Sequence, residues 1–462
     1  MKIRKALKSD SVKDFSSLFF SNVLQKLFGL VREPVTAVFF GTSPLFSAYL
    51  ILRTAANLFS QFIVGNALRA NLLPKFTKIY NSYKSVSLIK VSSFSKRSMI
   101  FLFIISQLIQ SIIILYIYLD SNSYDPISIF GLSLNPFVLL FIISVLLSYS
   151  ICFNFFNMMY LTIMQAQGNF FKYSIATTLN SFISVLFIIP FSIFFNVLGL
   201  VISRLLGIII LTSSYILPMN KERNGYEVEM NKKDINISIL ILGNFANIII
   251  ISSQFLAGVG GSSAVDKNIT YFYYAIFILN AVFTSVISNV STLLLKKLSL
   301  GKDNKWLYYS LGLSVMLGLL MCIILHFFSY EIIYFIYMGA DYLISSFLNF
   351  VEYPIKSKFG IEQVILTSKY LYELSYSFIF IFIATTLFQP FFSLSNNITI
   401  KARNLMSFIF LFVVLAGICI LSPFSIDSKT KSLILIYVAS FVSVILSLYS
   451  YYYYLKSCVQ KR

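Results

Sequence analysis

Long apolar runs, separated by short polar connections, extend over the whole chain. Each run is about twenty residues long, the length that an α-helix needs to cross the hydrocarbon core of a bilayer. The pattern lacks the regularly alternating short strands of a membrane β-barrel. It therefore predicts an all-α polytopic membrane protein with about twelve transmembrane helices. The predicted spans, numbered one to twelve, are 15–41, 45–66, 98–119, 135–161, 173–194, 196–218, 235–257, 270–295, 306–336, 370–395, 404–423 and 432–455.

Composition excludes a water-soluble protein of this length. Of the 462 residues, 58% are hydrophobic and only 11% are charged, so a polar surface could not be formed. The formal net charge of +19 would suggest a nucleic-acid partner in a soluble protein. Here most lysines and arginines lie in short connections between spans, as the positive-inside rule describes. We therefore expect the lipid bilayer as a partner, and no nucleic acid.

The distribution of lysine and arginine also predicts the orientation. Cations are concentrated at the N-terminus and in the connections 67–97, 219–234 and 296–305, which we expect on the cytoplasmic side. The protein is thus predicted to be a multi-pass protein of a bacterial cytoplasmic membrane with both termini in the cytoplasm. The four cysteines lack the spacing of metal ligands, and we expect them to pack in apolar surroundings.

The two halves of the chain look alike. LLPKFTK at 72–78 and LLLKKLS at 293–299 each follow an even-numbered span, although such a short match can arise by chance. Two similar halves predict two six-helix pseudo-repeats around a central cavity, as in many transporters. The expected domains are an N-terminal bundle at 1–219, a cytoplasmic linker at 220–234 and a C-terminal bundle at 235–462. The long connection 337–369 is expected to contain a short interfacial helix or a functional loop.

Charged residues within the first two spans are the main functional candidates. Lys26, Arg32 and Glu33 lie in span one, and Arg53 lies in span two. A charge inside a bilayer costs several kcal/mol and usually faces a bundle interior or a wet cavity. Because most of these charges are cations, they predict an anionic substrate. A structural pairing of Glu33 with Arg32 or Lys26 is the alternative.

Uncharged polar residues form stripes on three predicted spans. Helical spacing places Asn57 and Gln61 on the face of Arg53 in span two. Comparable stripes contain Asn244 and Asn247 in span seven, and Tyr273 and Asn280 in span eight. The four asparagines and Gln61 are candidate donors to a substrate, and hydrogen bonding between neighbouring helices is the alternative interpretation. Glu33 and Glu373 are candidates for coupling to an ion or a proton.

Several segments resemble one family of membrane proteins. GLVRE at 29–33, FFG at 39–41 and NALRANLLPKFTKIY at 66–80 resemble the N-terminal pattern of the MurJ (MviN) lipid II flippases. Residues 271–302 are similar to that family's eighth span and the segment after it. The family belongs to the multidrug, oligosaccharidyl-lipid and polysaccharide (MOP) exporter superfamily. The resemblance implies a bundle of two halves whose cationic cavity passes a polyprenyl-diphosphate-linked glycan to the outer leaflet by alternating access.

The resemblance also assigns individual positions. It implies that Arg32 corresponds to the family's essential arginine of span one, and that Lys26 replaces a second arginine there. Other positions depart from the family: an acidic residue in early span two, paired arginines later in that span, an Asp-Arg pair in span eight and two further C-terminal spans have no equivalent. The residues found instead are Ser47, Ser60, Gln61, Ile276 and Phe277. The second half therefore lacks the family's cation, which leaves lipid II and an O-antigen or capsule repeat unit open as cargo.

The sequence offers little support for catalysis or nucleotide hydrolysis. No GxxxxGK[ST] motif occurs, so we expect no cofactor, with a Na⁺ or H⁺ gradient or the membrane potential as energy source. A glycan polymerase would need catalytic residues in external loops, and 337–369 contains no arginine or histidine. A drug exporter would need buried carboxylates, which are few in the spans. We therefore predict a flippase that is not an enzyme and that functions as a monomer.

Overall fold

The computed structural model describes most of the chain. The described residues are 10–64, 66–83, 86–120, 127–129, 132–219, 226–228, 236–259, 265–287, 290, 291, 294, 305–350, 357–392, 397–424 and 426–459. Some side chains within these ranges are also left undescribed, including those of the candidate residues Lys26 and Gln61. The predicted connections 219–234 and 296–305, and the second repeat segment 293–299, fall almost entirely outside the described residues.

Helices dominate the first part of the chain. The first four are α1 (Asp10–Phe40), α2 (Pro44–Val64), α3 (Asn66–Ser82) and α4 (Ile89–Asp120). They are followed by α5 (Pro136–Ala166), α6 (Phe170–Phe195) and α7 (Val197–Leu211), the last of which continues into a π-helical turn at Thr212–Ile216. Four short strands complete this part: β1 (Val86–Ser87), β2 (Ile127–Ile129), β3 (Leu132–Leu134) and β4 (Tyr226–Glu227).

The second part contains eight further helices. These are α8 (Ile237–Gly243), α9 (Phe245–Gly258), α10 (Asn268–Val282), α11 (Lys305–Ile333), α12 (Gly339–Phe350), α13 (Ile361–Phe392), α14 (Asn397–Leu421) and α15 (Ser428–Val459). A π-helical turn at Phe283–Ile287 continues α10, and another at Tyr334–Met338 joins α11 to α12.

The structure confirms the all-α polytopic class. Among the described residues, eight helices are long and apolar enough to cross a membrane, or nine if the bent pair α8 and α9 forms one span. These correspond to nine of the twelve predicted spans. The other three predicted spans coincide with α1, α2 and α10, which are also helical. Of these three, α1 and α2 contain the candidate charges Arg32, Glu33 and Arg53.

Span seven differs from its prediction. The sequence predicts one continuous helix at 235–257, whereas α8 and α9 meet at a bend of 68°. The break lies at Gly243 and Asn244, two residue types with low helix propensity. Asn244 has φ −114° and ψ 14°, outside the helical range. A broken membrane helix leaves backbone groups without partners in the helix, which is a frequent feature of transporter sites.

The long predicted connection 337–369 also differs from a loop. It contains α12, and its last residues form the first turns of α13, because α13 begins at Ile361 rather than at 370. The expected short helix is therefore present, while its location at a membrane interface stays a prediction. Similarly, α4 begins at Ile89 rather than at 98, so that Lys96 and Arg97 lie within the helix. Long cationic side chains can extend from a helix end to the membrane surface, so they need not terminate it.

The chain forms two compact units. Unit 1 comprises Met1–Phe39 and Ala55–Asn236, and unit 2 comprises Phe40–Thr54 and Ile237–Arg462. The division runs through α2, whose first half packs with the C-terminal helices. Consequently Arg32 belongs to unit 1 and Arg53 to unit 2, although both lie near the N-terminus.

Buried polar side chains join helices within unit 1. The Gln110 amide of α4 donates a 2.9 Å hydrogen bond to the Ser148 hydroxyl of α5, and the Ser106 hydroxyl lies 3.0 Å from the same oxygen. Such bonds stabilise helix pairs in lipid because the polar groups have no water to bind. The short strand β1 pairs in parallel with β4, which connects the segment after α3 to the segment after α7.

Unit 2 is organised around α13. This helix packs against α10, α11 and α15 and buries a large apolar face. Phe378 and Phe382 lie in this core, and the Phe382 ring stacks on Phe283 with the centroids 5.9 Å apart. The core is rich in aromatic side chains, so a charged residue within unit 2 is conspicuous.

Candidate functional site

In unit 1, the charged pair of α1 is joined by hydrogen bonds. Arg32 Nε donates to Glu33 Oε1 at 2.9 Å, and Arg32 Nη2 contacts the same oxygen. The Glu33 side chain is 0% exposed, whereas the Arg32 side chain is 26% exposed. Adjacent helical residues point in different directions, so the long arginine side chain must bend back to reach its neighbour. The alternative interpretation of the sequence, a structural pairing of Glu33 with Arg32, is therefore seen in the structure.

The N-terminal half of α1 is held against α6 by a polar cluster. The Gln25 amide donates hydrogen bonds of 3.0 Å to the hydroxyls of Ser21 and Thr177. The Ser21 hydroxyl donates to the carbonyl of Ser174 and lies 2.8 Å from the Thr178 hydroxyl. This cluster fixes the rotation of α1 in unit 1. It lies next to the candidate Lys26, which is in α1 and whose side chain lies outside the described residues.

In unit 2, Arg53 contacts an aromatic side chain of α10. Its Nη1 donates a 2.8 Å hydrogen bond to the Tyr273 hydroxyl, and its guanidinium carbon lies 5.0 Å from the centroid of that ring. Arg53 is half-buried and Tyr273 is buried. Tyrosine is a neutral partner, so this contact orients the guanidinium without cancelling its charge. The structure thus joins the candidate Arg53 to the polar stripe predicted on span eight.

An aromatic cluster fixes the first half of α2 in unit 2. The Phe46 ring stacks on Tyr274 at 6.2 Å, and the Tyr274 hydroxyl donates to the Gly41 carbonyl at 3.2 Å. Gly41 has φ +51°, and a side chain there would collide with the backbone carbonyl of Lys358. Only glycine fits this close approach without strain. These contacts fix the first half of α2 and therefore the position of Arg53, which lies further along that helix.

The asparagine candidates are divided between the units. Asn57 is half-buried on the part of α2 that belongs to unit 1, and Gln61 follows it with a side chain outside the described residues. Asn244, Asn247 and Asn280 belong to unit 2. Asn244 is buried at the break between α8 and α9, while Asn247 and Asn280 are half-buried. Their role as substrate donors stays a prediction.

Glu373, the second coupling candidate, forms an ion pair between two helices of unit 2. The Lys429 ammonium of α15 lies 2.7 Å from Glu373 Oε2 on α13. The same ammonium lies 5.1 Å from the centroid of the Tyr370 ring, which supplies a second favourable contact for the cation. Lys429 was not a candidate from the sequence, because it precedes the predicted span twelve.

Sequence reasoning also missed a buried arginine. Arg403 lies in the second turn of α14 and is only 4% exposed. The predicted span eleven begins at 404, so this residue fell just outside the predicted spans. The signal that could have found it is helical spacing, because Met406, Phe410 and Val414 continue the same buried face. The described helices of unit 2 thus contain two arginines, Arg53 and Arg403.

Comparisons with known proteins bear on the fold. The sequence matches no protein-family model and no curated protein. A structure of the lipid II flippase MurJ in an inward closed conformation matches with a TM-score of 0.67 and 17% identity, covering 95% of this chain and 87% of that chain. An inward-facing multidrug resistance MATE family transporter of the MOP superfamily matches with a TM-score of 0.54 and 12% identity, covering 95% of both chains. A MATE in the straight conformation matches with a TM-score of 0.55 and 10% identity, covering 98% of this chain and 97% of that chain.

The chain therefore has the fold of MOP superfamily transporters. This confirms the fold that the sequence resemblance implied. The identities are low, so the likeness concerns the fold and leaves the cargo to be argued from the residues.

Proposed function

We propose that the protein is a flippase that moves a polyprenyl-diphosphate-linked glycan across a bacterial cytoplasmic membrane by alternating access. The cargo would be lipid II or a related repeat unit of a surface polysaccharide, such as an O-antigen or capsule unit. Both termini would lie in the cytoplasm, as the distribution of lysine and arginine predicts. Transport rather than catalysis is the proposed activity.

The observation that carries the proposal is the location of Arg53 inside a helix of this fold, with the neutral Tyr273 hydroxyl beside it. Arg32, which pairs with Glu33 and is 26% exposed, would contribute through the exposed part of its side chain. A cation within a membrane helix is costly unless it has a function or a partner. The diphosphate of the cargo would bring about two negative charges, and its sugars would bring many hydroxyls. Guanidinium groups bind phosphate oxygens through two parallel hydrogen bonds, which offsets part of the cost of removing water.

The pairing of the carboxylates argues against a drug or cation exporter. Such an exporter needs carboxylates that can bind a cation. Glu33 pairs with Arg32 and Glu373 pairs with Lys429, so each already has a cation of the protein beside it. Coupling to a Na⁺ or H⁺ gradient through either residue would require the pair to open. Coupling to the membrane potential, at about 2.3 kcal/mol per charge per 100 mV, has no such requirement.

The test is transport in proteoliposomes. A fluorescent polyprenyl-diphosphate disaccharide is placed in both leaflets, and dithionite bleaches the probe that reaches the outer leaflet. We expect bleaching to exceed the outer-leaflet fraction only in vesicles that contain the protein, and Arg53→Ala to slow it. Lys172→Ala is the matched control, because it removes an exposed cation from the first turn of α6.

Three results would contradict the proposal. Bleaching equal to that of protein-free vesicles would exclude transport of this cargo. Lengthening or cleavage of the glycan would indicate an enzyme. Efflux of a cationic dye without movement of the lipid-linked sugar would favour a drug exporter. Running the assay with lipid II and with a surface-polysaccharide unit would then separate the two candidate cargoes.

A further inference from the structure

Arg403 is a buried arginine, and among the described residues no acid pairs with it. Its Nε has no hydrogen-bond partner in the described part of the chain. The ion pairs found among the described residues also leave it out. An uncompensated charge in an apolar interior costs several kcal/mol, so an arginine in this position needs an anion from elsewhere.

The neighbours of Arg403 along α14 show which face it occupies. Met406, Phe410 and Val414 are buried on the same side of the helix, whereas Lys401 is exposed. Phe410 meets the ring of Phe245 at 6.3 Å, so this side of α14 packs against the start of α9. Arg403 therefore lies on the face of α14 that packs within unit 2 and meets the start of α9.

The level of Arg403 along the helix matters for the choice of anion. The part of α14 that is apolar enough to cross a membrane is Ile400–Leu421, and Arg403 lies in its first turn. At 1.5 Å per residue the guanidinium lies about 5 Å inside the end of this apolar part. This is close to the level at which lipid phosphate groups meet the hydrocarbon core, and far from the bilayer centre. A phosphate on a lipid can reach this level without taking its tail out of the bilayer.

We propose that Arg403 is an anion-binding residue of unit 2 and that it binds the phosphate of a lipid. The planar guanidinium suits a phosphate because it donates two parallel hydrogen bonds to two oxygens. The buried Ser407 hydroxyl, one turn along the same face, donates a 2.9 Å hydrogen bond to the Asn404 carbonyl, so the guanidinium itself would supply the donors to the phosphate. The phosphate could belong to a polyprenyl diphosphate or to a phospholipid of the bilayer. The first source rests on the proposed function, and the second does not.

Binding measured by thermal shift tests this proposal. The full-length protein in detergent is titrated with geranylgeranyl diphosphate, geranylgeraniol and phosphatidylglycerol. We expect the diphosphate to raise the melting temperature and the alcohol, which has the same tail, to have no effect. Arg403→Met should weaken the apparent affinity for the diphosphate by about tenfold or more, the usual effect of losing a charge-assisted hydrogen bond. Lys401→Met, which removes an exposed cation one half-turn away, should leave the affinity unchanged.

The conservative variant separates binding from folding. Arg403→Lys keeps the charge and loses the fork of donors, so its affinity should lie between those of wild type and Arg403→Met. If Arg403→Met does not fold, Arg403→Lys and Arg403→Gln provide the comparison. An effect of phosphatidylglycerol that depends equally on Arg403 would identify the bilayer as the source of the phosphate.

The proposal is overturned if Arg403→Met binds the diphosphate and phosphatidylglycerol as tightly as wild type does. It is also overturned if neither lipid shifts the melting temperature of the wild-type protein. In the first case transport in proteoliposomes could still proceed, so the flippase function would stand without this residue. In the second case the transport assay decides separately whether the proposed cargo is correct.

Discussion

Arg32 in unit 1 and Arg403 in unit 2 occupy apolar helices in opposite electrostatic circumstances. Arg32 has a fully buried carboxylate next to it, and the two side chains share short hydrogen bonds. Arg403 is buried, and no described carboxylate pairs with it. The pair in unit 1 adds no net charge, whereas Arg403 adds a full positive charge to unit 2.

The difference indicates that a charge in a membrane helix has to be judged together with its neighbours. A cation beside an acid can serve the folding of α1 and still contact cargo with the exposed part of its side chain. A cation without an acid favours binding of an anion far more strongly, because the anion replaces the missing partner. The two arginines should therefore respond differently to the same substitutions.

The largest expected effect is on the stability of unit 1. Arg32→Ala removes the hydrogen bonds and the positive charge that Arg32 supplies to Glu33, whose side chain is 0% exposed, and should lower the free energy of unfolding by about 3 kcal/mol. Glu33→Ala should cost less, because Arg32 is 26% exposed and its charge can reach water or lipid headgroups. The double variant should recover most of the stability. Thermal unfolding in detergent measures all three.

The double variant also sharpens the functional question. If Arg32 contacts the cargo, the stable double variant should remain slow in the proteoliposome assay. Recovery of both stability and transport would leave Arg32 with a structural role alone. Equal losses in the two single variants would contradict the asymmetry of burial on which the prediction rests.

The contrast between these arginines shows how far sequence reasoning extends. The apolar runs were sufficient to predict a helical membrane protein and most of its spans, because length and hydrophobicity alone decide whether a helix can cross a bilayer. They did not show that α2 is shared between two units, since that depends on contacts made far along the chain. Span ends were the weakest point. The predicted span eleven begins at 404, whereas the apolar part of α14 begins at Ile400. This difference of four residues left Arg403 outside the predicted span.

Partners were harder to predict than positions. The sequence identified Arg32, Arg53 and Glu373 as charges in membrane helices, because a charge within an apolar run is conspicuous. It left the partner of Glu33 open and gave no sign of Lys429 beside Glu373, since the two lie on helices far apart in the chain. Tyr273 was visible as part of a polar stripe, but its hydrogen bond with Arg53 depends on tertiary packing.

A second experiment would place a carboxylate beside Arg403, as Glu33 lies beside Arg32. Ser407 lies one turn after Arg403 and is buried, so Ser407→Asp places a carboxylate within reach of the guanidinium. We expect the protein to remain as stable as wild type, because the new carboxylate and the existing guanidinium compensate each other. The affinity for geranylgeranyl diphosphate should fall by about tenfold, or about 1.4 kcal/mol, because the carboxylate competes with the phosphate.

Ser407→Asn is the control, because asparagine has the size of aspartate but carries no charge. It should bind the diphosphate nearly as well as wild type does. If Ser407→Asn and Ser407→Asp lose the same affinity, the effect comes from volume in the packed face of α14 rather than from charge. Undiminished binding in Ser407→Asp would mean that the phosphate does not meet Arg403.

The smallest expected effect concerns Arg53, which the neutral Tyr273 hydroxyl orients. Its surroundings are intermediate between those of Arg32, which pairs with an acid, and Arg403, for which no acid is described. Tyr273→Phe removes the acceptor of the 2.8 Å hydrogen bond and leaves the guanidinium and the ring in place. A single hydrogen bond contributes about 1 kcal/mol, so transport should slow by roughly fivefold, less than in Arg53→Ala. Arg53→Lys should lie between them, because it keeps the charge and loses the planar fork.

The neighbouring tyrosine provides a matched control for this last prediction. Tyr274→Phe also removes one hydroxyl from α10, but that hydroxyl donates to the Gly41 carbonyl, whereas the Tyr273 hydroxyl accepts from Arg53. It should lower the melting temperature slightly and leave transport per folded protein unchanged. Transport rates at matched amounts of folded protein distinguish the two. Equal slowing in both variants would show that losing either hydroxyl disturbs α10 structurally. The orientation of Arg53 by Tyr273 would then have no part in transport.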